Sequence, residues 1–357
     1  MEIALHTIGF DDWFQAQADS FQKAPYDIAR VVAAHRESYT LSNGITEVPA
    51  EVTGRLMFNA DSPLDYPAVG DWVCVQYVDD AASAIIDAVL PRKTVLKRKT
   101  PGKKVEFQLI VGNIDTGLIV QALDHNYNLR RLERYLVMIH DAQIQPVVLL
   151  SKSDLLSLEE VAEKLVGIHG LMPDVPVVAF SNKDKTGMDT VRALLKPRQT
   201  YCMLGSSGVG KTTLLNTLLG DERFATATIR EKDGKGRHTT TGRQLIRLPG
   251  DALLIDTPGM RELGNIAVET GIEETFSEIT TLANQCRFAD CSHTQEQGCA
   301  ILTALDTGEI SPERYDSFMK LVRESAFHEM SFLEKGRKDR AFGKMVKTVM
   351  KHKRKKR

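Results

Sequence analysis

Nowhere in its 357 residues does this chain hold an unbroken apolar run near the ~18 residues of a membrane-spanning helix, so a bilayer span is not expected. The opening "MEIALHTIGFDDWFQAQ" has early acids, no basic start and no small-residue cleavage site, which predicts no secretory leader and a cytoplasmic protein. Cysteine is scarce. Its five copies are Cys74, Cys202, Cys286, Cys291 and Cys299, a poor set for disulfide staples in a cytosolic chain of this size. No internal repeat stands out, and no low-complexity segment precedes the C-terminal tail. A net charge of one sign is also missing, since the total is −1. That total conceals an asymmetry. From Lys335 onward twelve Lys/Arg face one acid, Asp339, giving +11 and leaving −12 on the rest.

What is present reads as a soluble globular composition, 42% hydrophobic and 26% charged, long enough for about two or three domains. Residues 1–30 place Phe10, Trp13, Phe14 and Phe21 at helix-like spacing, an arm expected to pack on the next domain. Residues 31–98 turn to short alternating runs, "ARVVAAHRESYTL", "EVTGRLMF", "GDWVCVQYV" and "AIIDAVL", parted by turn residues. Strands this short and this close predict a small barrel, an OB-fold by preference over an SH3-like one. Arg92, Lys93, Lys97, Arg98, Lys99, Lys103 and Lys104 follow, as a solvated linker or a strip contacting phosphates.

Residues 105–262 alternate strand and helix. "LIVGNIDTGLIVQAL" predicts a buried strand, "LRRLERYLVMIHDA" a helix, and "QPVVLLSKSD" a strand and loop. "LSLEEVAEKLVGIHG", "VPVVAFSNKDKTG" and "MDTVRALL" continue the pattern, which predicts a mostly parallel sheet covered on both faces. Residues 263–334 read as helices around a Cys/His cluster, and 335–357 as a basic tail.

Within the alternating region, "GSSGVGKTT" at Gly205, Ser206, Ser207, Gly208, Val209, Gly210, Lys211, Thr212 and Thr213 fits a phosphate-cradling loop. Glycines let backbone N–H groups turn toward phosphate, Lys211 adds charge at the β and γ groups, and the Thr212 hydroxyl can ligate Mg²⁺. "LLIDTPG" then ends in D-x-x-G, placing Asp256 near the magnesium and the Gly259 N–H where it can sense the γ-phosphate. Between the two, "GKGRHTTTG" offers Thr240, ahead of Thr241, to complete the magnesium shell.

Upstream lies "LLSKSDLL". Asp154 can accept from guanine N1–H and its amino group, and Lys152 can lie along the base. Ser151 stands where such loops ordinarily carry Asn, which leaves the N7 side of guanine without its usual contact. "FSNKDKTG" offers the Ser181 N–H to the guanine carbonyl. The base motifs thus precede the phosphate loop, the reverse of the usual order, and imply a circularly permuted Ras-like GTPase domain. Domain termini lie close together, so rejoining them costs the fold little.

Cys286, Cys291, His293 and Cys299, spaced C-x4-C-x-H-x5-C, suit one closed tetrahedral zinc site of structural purpose. Cys74 and Cys202 sit in apolar strands and read as core.

Taken together, "YPAVGDWV", "NIDTGLIV", "GSSGVGKTTLLN", "GRHTTT", "DTPGMREL" and the Cys/His spacing resemble the ribosome small-subunit-dependent GTPase A family over nearly the whole chain. The resemblance implies an N-terminal OB-fold, a permuted GTPase domain and a C-terminal zinc domain. It implies GTP hydrolysis to GDP, late maturation of the small ribosomal subunit, binding to its rRNA, and stimulation by that subunit. Met260 holds the place where Ras-like enzymes often carry a water-positioning Gln. His238, at the family's "RHTTT" position, would orient the water or instead contact phosphate or rRNA. The basic tail suits rRNA phosphates rather than a membrane, and a monomer is expected. The competing expectation is an RNA-binding placeholder whose nucleotide site gates occupancy without hydrolysis being required.

Overall fold

The computed structural model describes residues 2–21, 26–35, 38–99, 107–222, 224, 243–256 and 269–329. They fall into two compact units, one within 1–97 and 108–263, the other within 98–107 and 264–357.

The first unit opens with helices α1 (Glu2–Thr7) and α2 (Asp12–Ser20), the second capped by Asp11, whose carboxylate accepts from the Trp13 and Phe14 N–H groups. A barrel follows, from strands β1 (Asp27–Ala34), β2 (Tyr39–Ser42), β3 (Glu47–Val52), helix α3 (Gly54–Asn59), then β4 (Trp72–Val78) and β5 (Ser83–Val89). Its strand order β1-β2-β3-β5-β4 closes by β4 pairing back on β1, with β3 and β5 parallel, a five-stranded closed barrel of OB type. Ala29, Val31, Leu41, Val73, Val75 and Ile86 fill it. As expected, the arm packs here: Phe10 and Phe14 bury against Trp72, Cys74 and Leu90. One expectation fails. "EVTGRLMF" is not a single strand, because the Thr53 hydroxyl accepts from Leu56 N–H and starts α3.

Two strands, β6 (Val95–Lys99) and β7 (Phe107–Gly112), form a separate ribbon. The expected single strand through 109–123 is likewise divided. Asn113 takes φ +57° and parts β7 from β8 (Thr116–Ala122).

From β8 the alternation unfolds as read: α4 (Leu129–Asp141), β9 (Gln145–Ser151), α5 (Leu158–Leu171), β10 (Val177–Ala179), α6 (Met188–Leu194), β11 (Thr200–Leu204), α7 (Lys211–Leu219), β12 (Arg243–Arg247) and β13 (Leu253–Asp256). The sheet order is β10-β9-β8-β11-β13-β12, parallel except for β12. It does not end at β12. Ala33 and Ala34 of β1 pair antiparallel with Gln244 and Arg243, so barrel and parallel sheet share one hydrogen-bonded ladder. A register irregularity between Val31 and Ala33 marks where β1 changes roles. Before it, Asp27–Arg30 close the barrel on β4; after it, the strand joins β12.

In the second unit, α8 (Glu269–Thr275), α9 (Ser277–Ala283), α10 (Ala300–Thr307) and α11 (Pro312–Glu329) surround the cysteine cluster. Arg314 lies over the buried Phe276 ring at 4.0 Å and donates to Glu278 and the Thr275 carbonyl, each at 2.7 Å. No helix among the described residues is long and apolar enough to cross a membrane.

Candidate functional site

Three loops converge at the C-terminal ends of neighbouring parallel strands, where open α/β sheets place their ligands. The phosphate loop leaves β11, with Gly205, Gly208 and Gly210 at φ +144°, +81° and +92°. At Gly205 the close approach is decisive, since a Cβ would sit 2.2 Å from the Val120 carbonyl oxygen. Lys211 opens α7 and turns its Nζ back to the carbonyls of Gly205 (2.6 Å) and Ser206 (2.8 Å), within the loop that would hold the β and γ groups. Thr212 and Thr213 are exposed in the first turn of α7. Arg131 of α4 donates to Ser206 Oγ at 2.9 Å.

The first base loop leaves β9, two strands away. Ser151 is fully buried, and its hydroxyl donates to the Val209 carbonyl at 2.6 Å, tying this loop to the phosphate loop. Lys152 adopts φ +61° and pairs with Asp124 at 2.8 Å. Burial opposes charge on Asp124, yet the hydrogen bonds from Lys152 and the Asn126 N–H hold its carboxyl below the usual range. Asp154 sits in the 3-10 turn Ser153–Leu155 and accepts from Ser181 Oγ at 2.7 Å.

The second base loop leaves β10 and corrects one expectation. The Ser181 N–H does not face the base site, for it donates to the Thr186 carbonyl at 2.9 Å. Ser181 serves Asp154 instead, while its own oxygen accepts from Lys183 and Asp184 N–H. Gly187 closes the loop at φ +72°, where a Cβ would lie 2.2 Å from the Ala179 carbonyl oxygen. Asn182, which the sequence reading passed over, places its amide on the phosphate loop, Nδ2 to the Gly210 carbonyl at 3.4 Å. The signal was there, a polar side chain beside a motif already noticed.

Asp256 ends β13, hydrogen-bonded beside β11. Its carboxylate and the Thr212 hydroxyl are hard oxygen donors of the kind magnesium takes. His238, Thr240, Gly259 and the basic tail lie outside the described residues.

The metal cluster forms as its spacing suggested. The ligand atoms of Cys286, Cys291, His293 and Cys299 all lie within 4.8 Å of one another. Sγ of Cys286 and Cys299 are 3.8 Å apart, each 3.6 Å from His293 Nδ1. Tetrahedral zinc with Zn–S ≈ 2.3 Å and Zn–N ≈ 2.05 Å requires about 3.8 and 3.6 Å, so the donor set fits zinc. Tyr315 of α11 donates to the His293 carbonyl at 2.6 Å, binding the cluster to the helix behind it. Cys74 and Cys202 are buried in strands, where burial pushes their thiols up to about 11 and about 12.

A phosphate loop and two base loops on a parallel sheet, in this chain order, define a circularly permuted P-loop GTPase. Residues 89–266 match the sequence profile described as RsgA GTPase. The chain is 42% identical over 329 residues to a small ribosomal subunit biogenesis GTPase RsgA 2 of Lactiplantibacillus plantarum, covering 92% of both chains. With the protein of the same name from Vibrio parahaemolyticus it shares 38% over 353 residues, 98% of this chain and 94% of that one. It belongs to the RsgA GTPase family. In fold it is similar to YjeQ from Thermotoga maritima, with TM-score 0.62, 24% identity, and coverage of 84% of this chain and 99% of that one. It is also similar to the circularly permuted GTPase YloQ, with TM-score 0.61, 19% identity, and coverage of 87% and 98%.

Proposed function

We propose that this GTPase binds the small ribosomal subunit, acts late in that subunit's maturation, and cleaves GTP to GDP and phosphate at a rate the subunit raises. The observation that carries the guanine reading is the Ser181–Asp154 hydrogen bond, by which the second base loop holds the exposed, acceptor-only carboxylate of the first. Guanine presents a donor pair there that adenine lacks. The relatives' printed names supply the ribosomal part of the reading.

In this account Lys152 flanks the base, and Ser151 braces the phosphate loop rather than reading the purine. The backbone N–H groups of 205–213 and the Lys211 ammonium take the phosphates. Thr212, Thr240 and Asp256 would hold magnesium, which neutralises charge on the phosphates when bound. Water attacks the γ-phosphorus, the bond to the β–γ bridging oxygen breaks, and that oxygen leaves on GDP. Met260 cannot orient the water, so we assign that role to His238. The Gly259 N–H reports the γ-phosphate to the segment leading into the second unit. Domain limits of 31–98, 105–262 and 263–334, a structural zinc, rRNA contacts through the 335–357 tail, a monomeric state and a cytoplasmic location belong to the same reading.

Co-sedimentation tests it. The full chain with a non-hydrolysable GTP analogue should pellet with purified small subunits and not with large ones, and retention should fall with salt. Equal binding to both subunits would remove the ribosomal assignment.

A further inference from the structure

Ser151 leaves a gap in the guanine site that a neighbouring loop is placed to fill. A hydroxyl carries one hydrogen. That of Ser151 is committed to the Val209 carbonyl at 2.6 Å. Guanine O6 and N7 are both acceptors, so this edge of the base requires donors that Ser151 no longer has.

Asn182 has them. Its Nδ2 carries two hydrogens, and the Gly210 carbonyl takes one through a long 3.4 Å contact. Its Oδ1 is buried with no hydrogen-bond partner among the described residues. An amide held by one weak bond turns at small cost. Ser151 and Asn182 thus touch consecutive phosphate-loop carbonyls, Val209 and Gly210, from two different base loops.

We infer that the Asn182 side-chain amide donates to N7 of guanine, and so replaces the purine contact that a serine at 151 cannot make. The inference rests on the guanine-nucleotide reading of this cleft and deepens it. The two base loops divide the labour. Asp154, held by Ser181, takes the N1 and amino edge, and Asn182 takes the opposite one.

The test uses full-length protein and equilibrium titration with GDP, 7-deaza-GDP (C–H in place of N7) and inosine diphosphate (no 2-amino group). Wild type should bind 7-deaza-GDP about tenfold more weakly than GDP, the size of one lost hydrogen bond. In Asn182→Ala, GDP should weaken by about the same factor, and the two nucleotides should then bind within about twofold of each other. The preference for GDP over inosine diphosphate, set by Asp154, should persist. Adding Ser151→Asn to Asn182→Ala should restore discrimination against the deaza base. A wild type blind to N7, an Asn182→Ala variant that keeps the full deaza penalty, or one that loses the inosine discrimination as well would each overturn the inference while leaving guanine binding intact. Failure of wild type to bind GDP at all would remove the base site itself, and this assignment with it.

Discussion

Arg30 of the barrel donates from Nη2 to Thr200 Oγ1 at the first residue of β11, 2.9 Å across a sequence separation of 170. The same guanidinium donates to the carbonyls of Ile8, Gly70 and Asn113, and lies over Trp72 at 5.2 Å. One buried side chain therefore links the arm, the barrel, the turn before β8 and the strand that carries the phosphate loop. Burial lowers its pKa to about 10, against the opposing pull of Asp115, Asp71 and Asp11, and it remains charged at neutral pH.

Removing that hub takes the Arg30 donor from the Ile8 and Asn113 carbonyls, whereas the Gly70 carbonyl keeps the Asn113 amide. Arg30→Ala should cost about 3–5 kcal/mol in denaturant unfolding, and Arg30→Lys, with a compact head and no planar fork, should recover little of it. A loss below about 1 kcal/mol would show that Arg30 is not what joins barrel and sheet.

Phe14 is buried against Phe10, Trp72 and the barrel, with its ring centroid 5.8 Å from that of Trp72. Phe14→Ala should destabilise by about 3–4 kcal/mol, whereas Trp13→Ala, with Trp13 39% exposed, should change stability far less. Chemical denaturation of the two variants decides whether the arm belongs to the barrel's core.

Asp154 and Ser181 separate base selection from general affinity. Asp154→Asn replaces an acceptor with a mixed donor and acceptor, which suits the 2-carbonyl of xanthine better than the 2-amino group of guanine. Competition binding should show the preference moving from GDP toward xanthosine diphosphate. Ser181→Ala should weaken GDP about five- to tenfold with the preference unchanged, since only the carboxylate's brace is lost.

For the cluster, elemental analysis of purified protein should give one zinc per chain. Cys299→Ser should release it, and chelation should reduce helical signal by local unfolding around α10 and α11, the region tied to His293 through Tyr315. A stoichiometric zinc that leaves without any change in circular dichroism would argue against a structural role.

Much of this was legible because it is local. Glycine spacing, alternating apolar runs and the close-set cysteines each carry their physics within a short stretch, and the order of the motifs alone revealed the permutation. What escaped reading depends on partners distant in sequence or on a single cap. Thr53 turned an apolar run into α3, and the left-handed Asn113 divided what read as one strand. The β1–β12 ladder joins segments roughly two hundred residues apart, and no periodicity announces which strands will be neighbours. The Ser181 N–H was assigned to the base because a motif names residues, not which of their hydrogens the loop has already used. Asn182 was passed over for the same reason.

The central claim is most directly tested by GTP turnover with and without purified small ribosomal subunits, in wild type and Lys211→Ala, with ATP as control. The account predicts slow intrinsic hydrolysis, strong stimulation by the small subunit, specificity for GTP, and loss of turnover in the variant. No stimulation, or equal use of ATP, would contradict it.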